Sequence, residues 1–316
     1  MDWNRLRRRR VTPTKATGAY VSLDELIRIQ FRVGDFSFLP KQPVTSILAG
    51  RYCSRLRGRG MNFEELRRYQ PGDDIRTLDW KVTARTRNPY VRTYTEEKDR
   101  AVLLLVDQRI NMFFGTKRQF KSVTAAELAA IGAWRSLAVG DRVGAIVFND
   151  SEIVEIAPQQ SEQTVMAILG AVTRMNHELS ATSAVQPNGP MLNRVLESVR
   201  KMATHDLLVI AISDFYGAEP ATDRCITTLT SHNDMLALLT YDPSRQHPVN
   251  QSLTLSDGTR KVELDLSEKA NRARLAADFQ REVEERTRFL RKLSAPVFMI
   301  FNDRDVVDQV RKILGG

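Results

Sequence analysis

Two apolar runs dominate the hydrophobic pattern, AVLLLVD at residues 101–107 and LLVIAISD at 207–214. Neither alternates with polar residues, as expected of strands covered on both faces, and each ends on an acid, Asp107 and Asp214. Between them, residues 121–139 repeat their apolar positions at helical spacing, and Asp141 leads into the strand VGAIVF. Glu152–Ile156 reads as its hairpin partner, followed by helical patterns over Ser161–Met175 and Pro190–Met202. Beyond Asp214 the pattern predicts a helix at about 219–231, the strand MLALLTY, and a hairpin in SLTLSDGTRKVELDL that turns at Asp257-Gly258. A long charged helix over about 268–293, the strand PVFMIF and a helix at Val306–Leu314 close the chain. Strands alternating with helices predict an α/β fold, a doubly wound and mostly parallel sheet flanked by helices.

Upstream of residue 101 the pattern is irregular. Residues 1–20 are basic and broken by Pro13 and Gly18, which predicts a mobile arm. Ser22 opens a helical pattern, SLDELIRIQFRV, with Glu25 placed to complete a capping box, and Gly34 to Pro43 reads as a loop. From Gly58 to Arg100 turn signals at Pro71-Gly72 and Asn88-Pro89 separate short strand candidates such as Tyr90–Tyr94. The chain thus divides into a basic N-terminus (1–20), an irregular or β extension (21–100) and an α/β domain (101–316).

Charge sharpens that division. Residues 1–100 carry 22 Lys or Arg against 12 Asp or Glu, whereas the remaining residues carry 25 against 26, so all the excess basicity lies in the first hundred. An acidic partner surface is expected there, and the arginines at 5, 7, 8, 9, 10, 51, 55, 57 and 59 make a nucleic acid or an anionic surface one reading of it. Aromatics are not interleaved regularly enough for base stacking, which argues against nucleic acid. Cys53 and Cys225 are the two cysteines, far apart and in no CxxC pattern, so a disulfide framework or zinc site is not expected and a reduced, cytoplasmic compartment is. No apolar h-region follows Arg10, and no apolar run approaches the roughly 20 residues that cross a bilayer.

Candidate chemistry gathers in the polar block. Arg67, Arg68, Asp73, Asp74, Arg76, Asp79, Trp80 and Arg85 crowd into a short stretch. As an ion-pair network they pin an irregular segment, with Asp73 or Asp74 capping the Pro71-Gly72 turn and Trp80 supplying buried area and an indole donor. As a catalytic set, Asp73, Asp74 and Asp79 hold a metal for hydrolase or nuclease chemistry. The network is the preferred reading, because no nucleophile–base pair and no histidine accompany these residues. His177, His205, His232 and His247 are scattered, no phosphate-binding loop appears, and Ser213 lacks an identifiable histidine.

The stretch Arg59–Arg85 follows RGxxFxxLRxYxPGDDxRxxDWxxxAR and resembles the bacterial family called domain of unknown function 58, with the resemblance running over about 45–316. The two strand-end acids resemble those of a von Willebrand factor A domain, whose metal-ion-dependent adhesion site has the pattern D-x-S-x-S, a loop threonine and a later aspartate. On that resemblance Asp107 and Asp214 match the two acids, Arg109 and Asn111 stand at the serine positions and Pro190 at the threonine. Arginine offers no acceptor and proline no side-chain oxygen, so magnesium is not expected; any metal would fall to Asp107, Asn111 and Asp214. The Arg109 guanidinium is expected in place of the cation, neutralising both Asp107 and Asp214. The resemblance implies a non-enzymatic adaptor or scaffold that works with a MoxR-type AAA+ ATPase, its recognition surface formed by Asp107, Arg109, Asn111, Pro190 and Asp214. The alternatives are the metal-dependent hydrolase and an anionic-surface binder acting through the arginine-rich N-terminus.

Overall fold

In a computed structural model the run Ala101–Asp107 is the centre of a parallel sheet, its seven residues all buried. The structure describes residues 18–33, 61–70, 76, 78–96, 101–182, 185–203, 205–246, 248, 250, 252–256, 261–292 and 295–314. The chain forms two compact units, Met1–Pro43 together with Ala101–Gly316, and Val44–Arg100. The readings for residues 1–17, Gly34–Pro43, Pro71-Gly72 and the Asp257-Gly258 turn lie outside the described residues.

The capping-box helix α1 (Leu23–Arg28) forms as its sequence predicts, with Ser22 and Glu25 bonding each other's backbone N–H groups. Although it precedes the Val44–Arg100 unit in sequence, α1 packs with the sheet unit, not with the extension.

In the smaller unit β1 (Met61–Arg68) pairs antiparallel with β2 (Tyr90–Glu96), with a register irregularity between Phe63 and Glu65. Between them lies a helix that the sequence reading did not include, α2 (Trp80–Thr86). Asp79 starts it by accepting the N–H groups of Lys81 and Val82, both at 3.0 Å, and Arg87 ends it in the left-handed region at φ 57°. The Thr83 hydroxyl then accepts the Tyr90 N–H at 3.1 Å, joining helix to strand.

The sheet unit continues with β3 (Ala101–Asp107), α3 (Lys121–Ala138), β4 (Arg142–Phe148), β5 (Ile153–Gln159), α4 (Glu162–Glu178), α5 (Met191–Met202), β6 (Leu207–Ser213), α6 (Pro220–Thr230) and β7 (Asp234–Tyr241). The hairpin β8 (Ser252–Ser256) and β9 (Lys261–Asp265), the helix α7 (Lys269–Lys292), β10 (Val297–Phe301) and α8 (Val306–Leu314) complete it. The six-stranded sheet has the order β10-β7-β6-β3-β4-β5, parallel except for the edge strand β5.

Alternate residues of β3 feed two cores. Val102, Leu104 and Val106 face the layer containing α1, α3, α4 and α8, while Leu103 and Leu105 face that of α5, α6 and α7. On the first face the segment around α1 is tied down: Leu26 is fully buried, its carbonyl accepts the Trp134 indole N–H at 3.2 Å, and Asn176 accepts the Val21 N–H at 3.0 Å.

Candidate functional site

The chain crosses from one side of β3 to the other after β5, so the crevice beyond the carboxyl ends of β3 and β6 is the topological switch point where such sheets bind ligands. Asp107 and Asp214 both arrive there, and each meets a protein cation.

Asp107 and Arg109 are wholly buried. One Asp107 oxygen, Oδ1, accepts the backbone N–H and the Nε–H of Arg109, both at 3.0 Å. Its Oδ2 accepts from Arg109 Nη2 at 2.7 Å and from the Ser213 hydroxyl at 2.6 Å. This is a bidentate guanidinium–carboxylate pair, the strong kind, closed over by the Phe148 ring with its centroid 5.4 Å from the guanidinium carbon. The remaining nitrogen, Nη1, donates to the carbonyls of Asn188 and Tyr216, both at 3.1 Å. One side chain thereby joins the three loops that follow β3, precede α5 and follow β6. Burial alone pulls the guanidinium pKa down, but Asp107 outweighs it and holds the group above its ordinary value.

Asp214 is served by different donors. Its Oδ2 accepts from Lys121 Nζ at 2.6 Å, and its Oδ1 from Asn111 Nδ2 at 2.8 Å and the Tyr216 N–H at 2.9 Å. Arg286 of α7 donates to its backbone carbonyl. Burial pushes this carboxyl upward, yet Lys121 and Arg286 prevail and hold it at about 2. The expectation that Arg109 neutralises both acids is therefore corrected: Arg109 bonds Asp107, and Lys121 at the start of α3 pairs with Asp214. The reason is geometric, since every Arg109 nitrogen is already committed to Asp107 and two loop carbonyls.

A third acid, Asp150, went unnoticed in the sequence. It accepts the Ile110 N–H at 2.6 Å and the Asn188 N–H at 2.7 Å, and burial leaves its pKa raised despite those bonds. In the loop after β6, Gly217 sits at φ +80° so close to Gly189 that an added Cβ would lie 2.4 Å from the Gly189 Cα.

A divalent cation does not fit this set. Asp107 spends both oxygens on Arg109 and Ser213, Pro190 has no side-chain oxygen, and Lys121 holds the Asp214 oxygen left after Asn111 and Tyr216, which leaves the buried Asn111 Oδ1 as the one uncommitted side-chain oxygen of the set, too few for a hard cation. Among the described residues no group of three or more His, Cys, Asp or Glu is arranged to hold a metal.

The recognition surface is corrected as well. Of its five residues, Asp107 and Arg109 are wholly buried and Asp214 is 4% exposed, so they shape the edge from within. Pro190 is exposed and Asn111 half-buried. What the edge presents to solvent is the loops they hold, including the Tyr216 ring, which is 41% exposed.

In the polar block, Asp73 and Asp74 lie outside the described residues, as does the Arg67 side chain. Asp79 is a helix cap, while Arg68, Arg76 and Arg85 are exposed. Trp80, the first residue of the helix that Asp79 caps, does not supply buried area: it is 70% exposed.

Strand order defines this as a doubly wound, mostly parallel α/β domain whose strands β3 and β6 lead into the acids of the crevice. Residues 65–288, well over half of the chain, match the family described as "Protein of unknown function DUF58", and the chain belongs to that family. Uncharacterized proteins of Mycobacterium tuberculosis H37Rv and Mycobacterium bovis are 28% identical over 282 residues, covering 86% of this chain and 84% of theirs. Among solved structures, BatB from Bacteroides thetaiotaomicron superposes with a TM-score of 0.36 at 12% identity, covering 68% of this chain and 98% of that one. A von Willebrand factor type A protein from Catenulispora acidiphila does so with a TM-score of 0.31 at 11% identity, covering 71% of this chain and 42% of that one.

Proposed function

We propose that this chain is a non-enzymatic adaptor that binds protein partners through the loops at the carboxyl edge of its sheet, without a metal or other cofactor. The observation that carries this reading is the buried Arg109–Asp107 pair, which fixes the Asn188 and Tyr216 loops from beneath. An edge held in this way is preorganised, and preorganisation lowers the ordering cost that binding would otherwise carry. Catalysis by the site acids finds no support in the geometry, since Asp107, Asp150 and Asp214 are all committed to protein donors. The MoxR-type AAA+ ATPase suggested by the family resemblance is the partner we propose, with the cytoplasm as the shared compartment. Among the described residues no helix is long and apolar enough to cross a membrane.

Calorimetry of the purified chain with a MoxR-type ATPase from the same cell, nucleotide-free and in chelator, tests the reading. Saturable binding, weakened by Tyr216→Ala, is expected. Absence of binding, or binding that appears only when magnesium is restored, sinks it.

A further inference from the structure

Residues 18–33 form a strap on the larger unit, and the contacts of its first turn converge on one loop. That loop, residues 108–120, runs from β3 to α3; it carries Arg109 and Asn111 near its start and delivers Lys121 at its end. The strap grips it at three places. The Gly18 carbonyl accepts the Phe120 N–H at 2.8 Å. At φ +68° the same glycine lies so close that an added Cβ would come within 2.3 Å of the Arg118 carbonyl oxygen. The Tyr20 ring meets that of Phe113 with centroids 5.5 Å apart, and Phe113 in turn packs edge-on against Phe120 at 4.8 Å.

The third grip is a relay through two buried amides. The Val21 N–H donates to Asn176 Oδ1 at 3.0 Å, Asn176 Nδ2 donates to Gln108 Oε1 at 3.3 Å, and Gln108 Nε2 donates to the Ser122 carbonyl at 2.9 Å. Gln108 stands between Asp107 and Arg109, and Ser122 adjoins Lys121, so the relay ends beside both cations of the crevice. Asn176 and Gln108 are wholly buried. Two side-chain amides in such a place cost free energy that an apolar pair of the same size avoids, and they recover it only through directed bonds. Such bonds fix positions, which the filling of a volume does not. One asparagine holds the strap at Val21 and the loop at Gln108, so neither shifts without a bond being lost. Arg109 joins the edge loops from within, but its side chain is only as steady as the backbone that carries it.

We infer that the strap belongs to the scaffold of the docking edge, with Asn176 and Gln108 as positioning residues that transmit its docking to the loop bearing Arg109. The α/β domain from residue 101 onward is then not sufficient as a binding module without residues 18–33. The inference rests on the adaptor reading for its effect on binding, whereas the order of the loop is a property of the chain alone.

Hydrogen–deuterium exchange of the full chain decides it. The double variant Gly18→Ala/Tyr20→Ala strains the first grip and removes the second without altering the sheet core. It is expected to speed exchange in residues 108–120 by at least about tenfold while β6 and β7 keep their native protection. Asn176→Leu has the same local effect, and adding Gln108→Met to it brings little more, because the two amides act as one relay. If Asn176→Leu fails to fold, the Gly18→Ala/Tyr20→Ala chain still gives the answer. Affinity for the MoxR-type ATPase falls in parallel, by about tenfold where the strap remains docked in about one molecule in ten. Native exchange in residues 108–120 of the double variant, or faster exchange spread evenly over every strand, overturns the inference. A native chain that leaves the ATPase unbound sinks the adaptor reading instead, and the exchange result still decides the role of the strap.

Discussion

At the scale of single residues, the decisive chemistry is a positive charge covalently attached to the backbone two positions after Asp107. Removing it leaves a buried carboxylate without its partner, so Arg109→Met is expected to lower unfolding free energy by about 3–5 kcal/mol in a denaturant titration. Adding Asp107→Asn to that variant should recover part of the loss, since the uncompensated charge is then gone. Arg109→Lys fails as a substitute, because an ammonium cannot make the bidentate pair and also reach two carbonyls. Asp214 gives a pH signature. Its carboxyl is held near 2, below the ordinary carboxylate value, so its contribution is fully present above about pH 4 and fades as pH falls through 2. Lys121→Met should move the midpoint of acid unfolding upward, with fluorescence or circular dichroism as the readout. Asp107, Arg109 and Asp214 were legible in the sequence as residues at strand ends. Lys121, Asp150, Asn188 and Arg286 were not, since they reach the crevice from α3, from the turn after β4, from the loop before α5 and from α7, and only the fold brings those elements together.

The elements themselves were legible wherever local pattern and tertiary burial agree. The runs of β3 and β6 are apolar on both faces because helices cover both faces, and the hydrophobic pattern alone carries that information. The helix α2 was hidden, since seven residues hold too little periodicity and their signal is a single cap, Asp79. The capping box of α1 was readable, but its docking was not: nothing local says that Leu26 enters the core between α3 and α4. Leu26→Ala is therefore expected to cost about 2–5 kcal/mol in a denaturant titration, comparable to a truncation within the sheet. In the loops, Gly217→Ala meets both a positive φ and the Gly189 backbone. It should lower the thermal midpoint and weaken partner binding at the sheet edge together; an unchanged melting temperature would refute the close packing assigned to these loops.

At the scale of the whole molecule, the larger unit is discontinuous in sequence, and residues 44–100 form a unit inserted within it. A chain in which that insertion is replaced by a flexible Gly/Ser linker is expected to retain a cooperative thermal transition, because loop closure costs little beyond the shortest spans. Loss of that transition would show the two units to be one folding entity. The sequence boundary at residue 21 missed this arrangement, because the tether between α1 and the sheet is made of long-range bonds such as Val21 to Asn176. The tethered guanidinium also has a consequence for physiology. A protein whose adhesive edge depends on a diffusible ion can be released by chelation or by a fall in ion supply. On the adaptor reading proposed above, the charge travels with the polypeptide from synthesis to degradation, so docking at this edge is expected to be insensitive to chelation and to be controlled through the partner or through abundance.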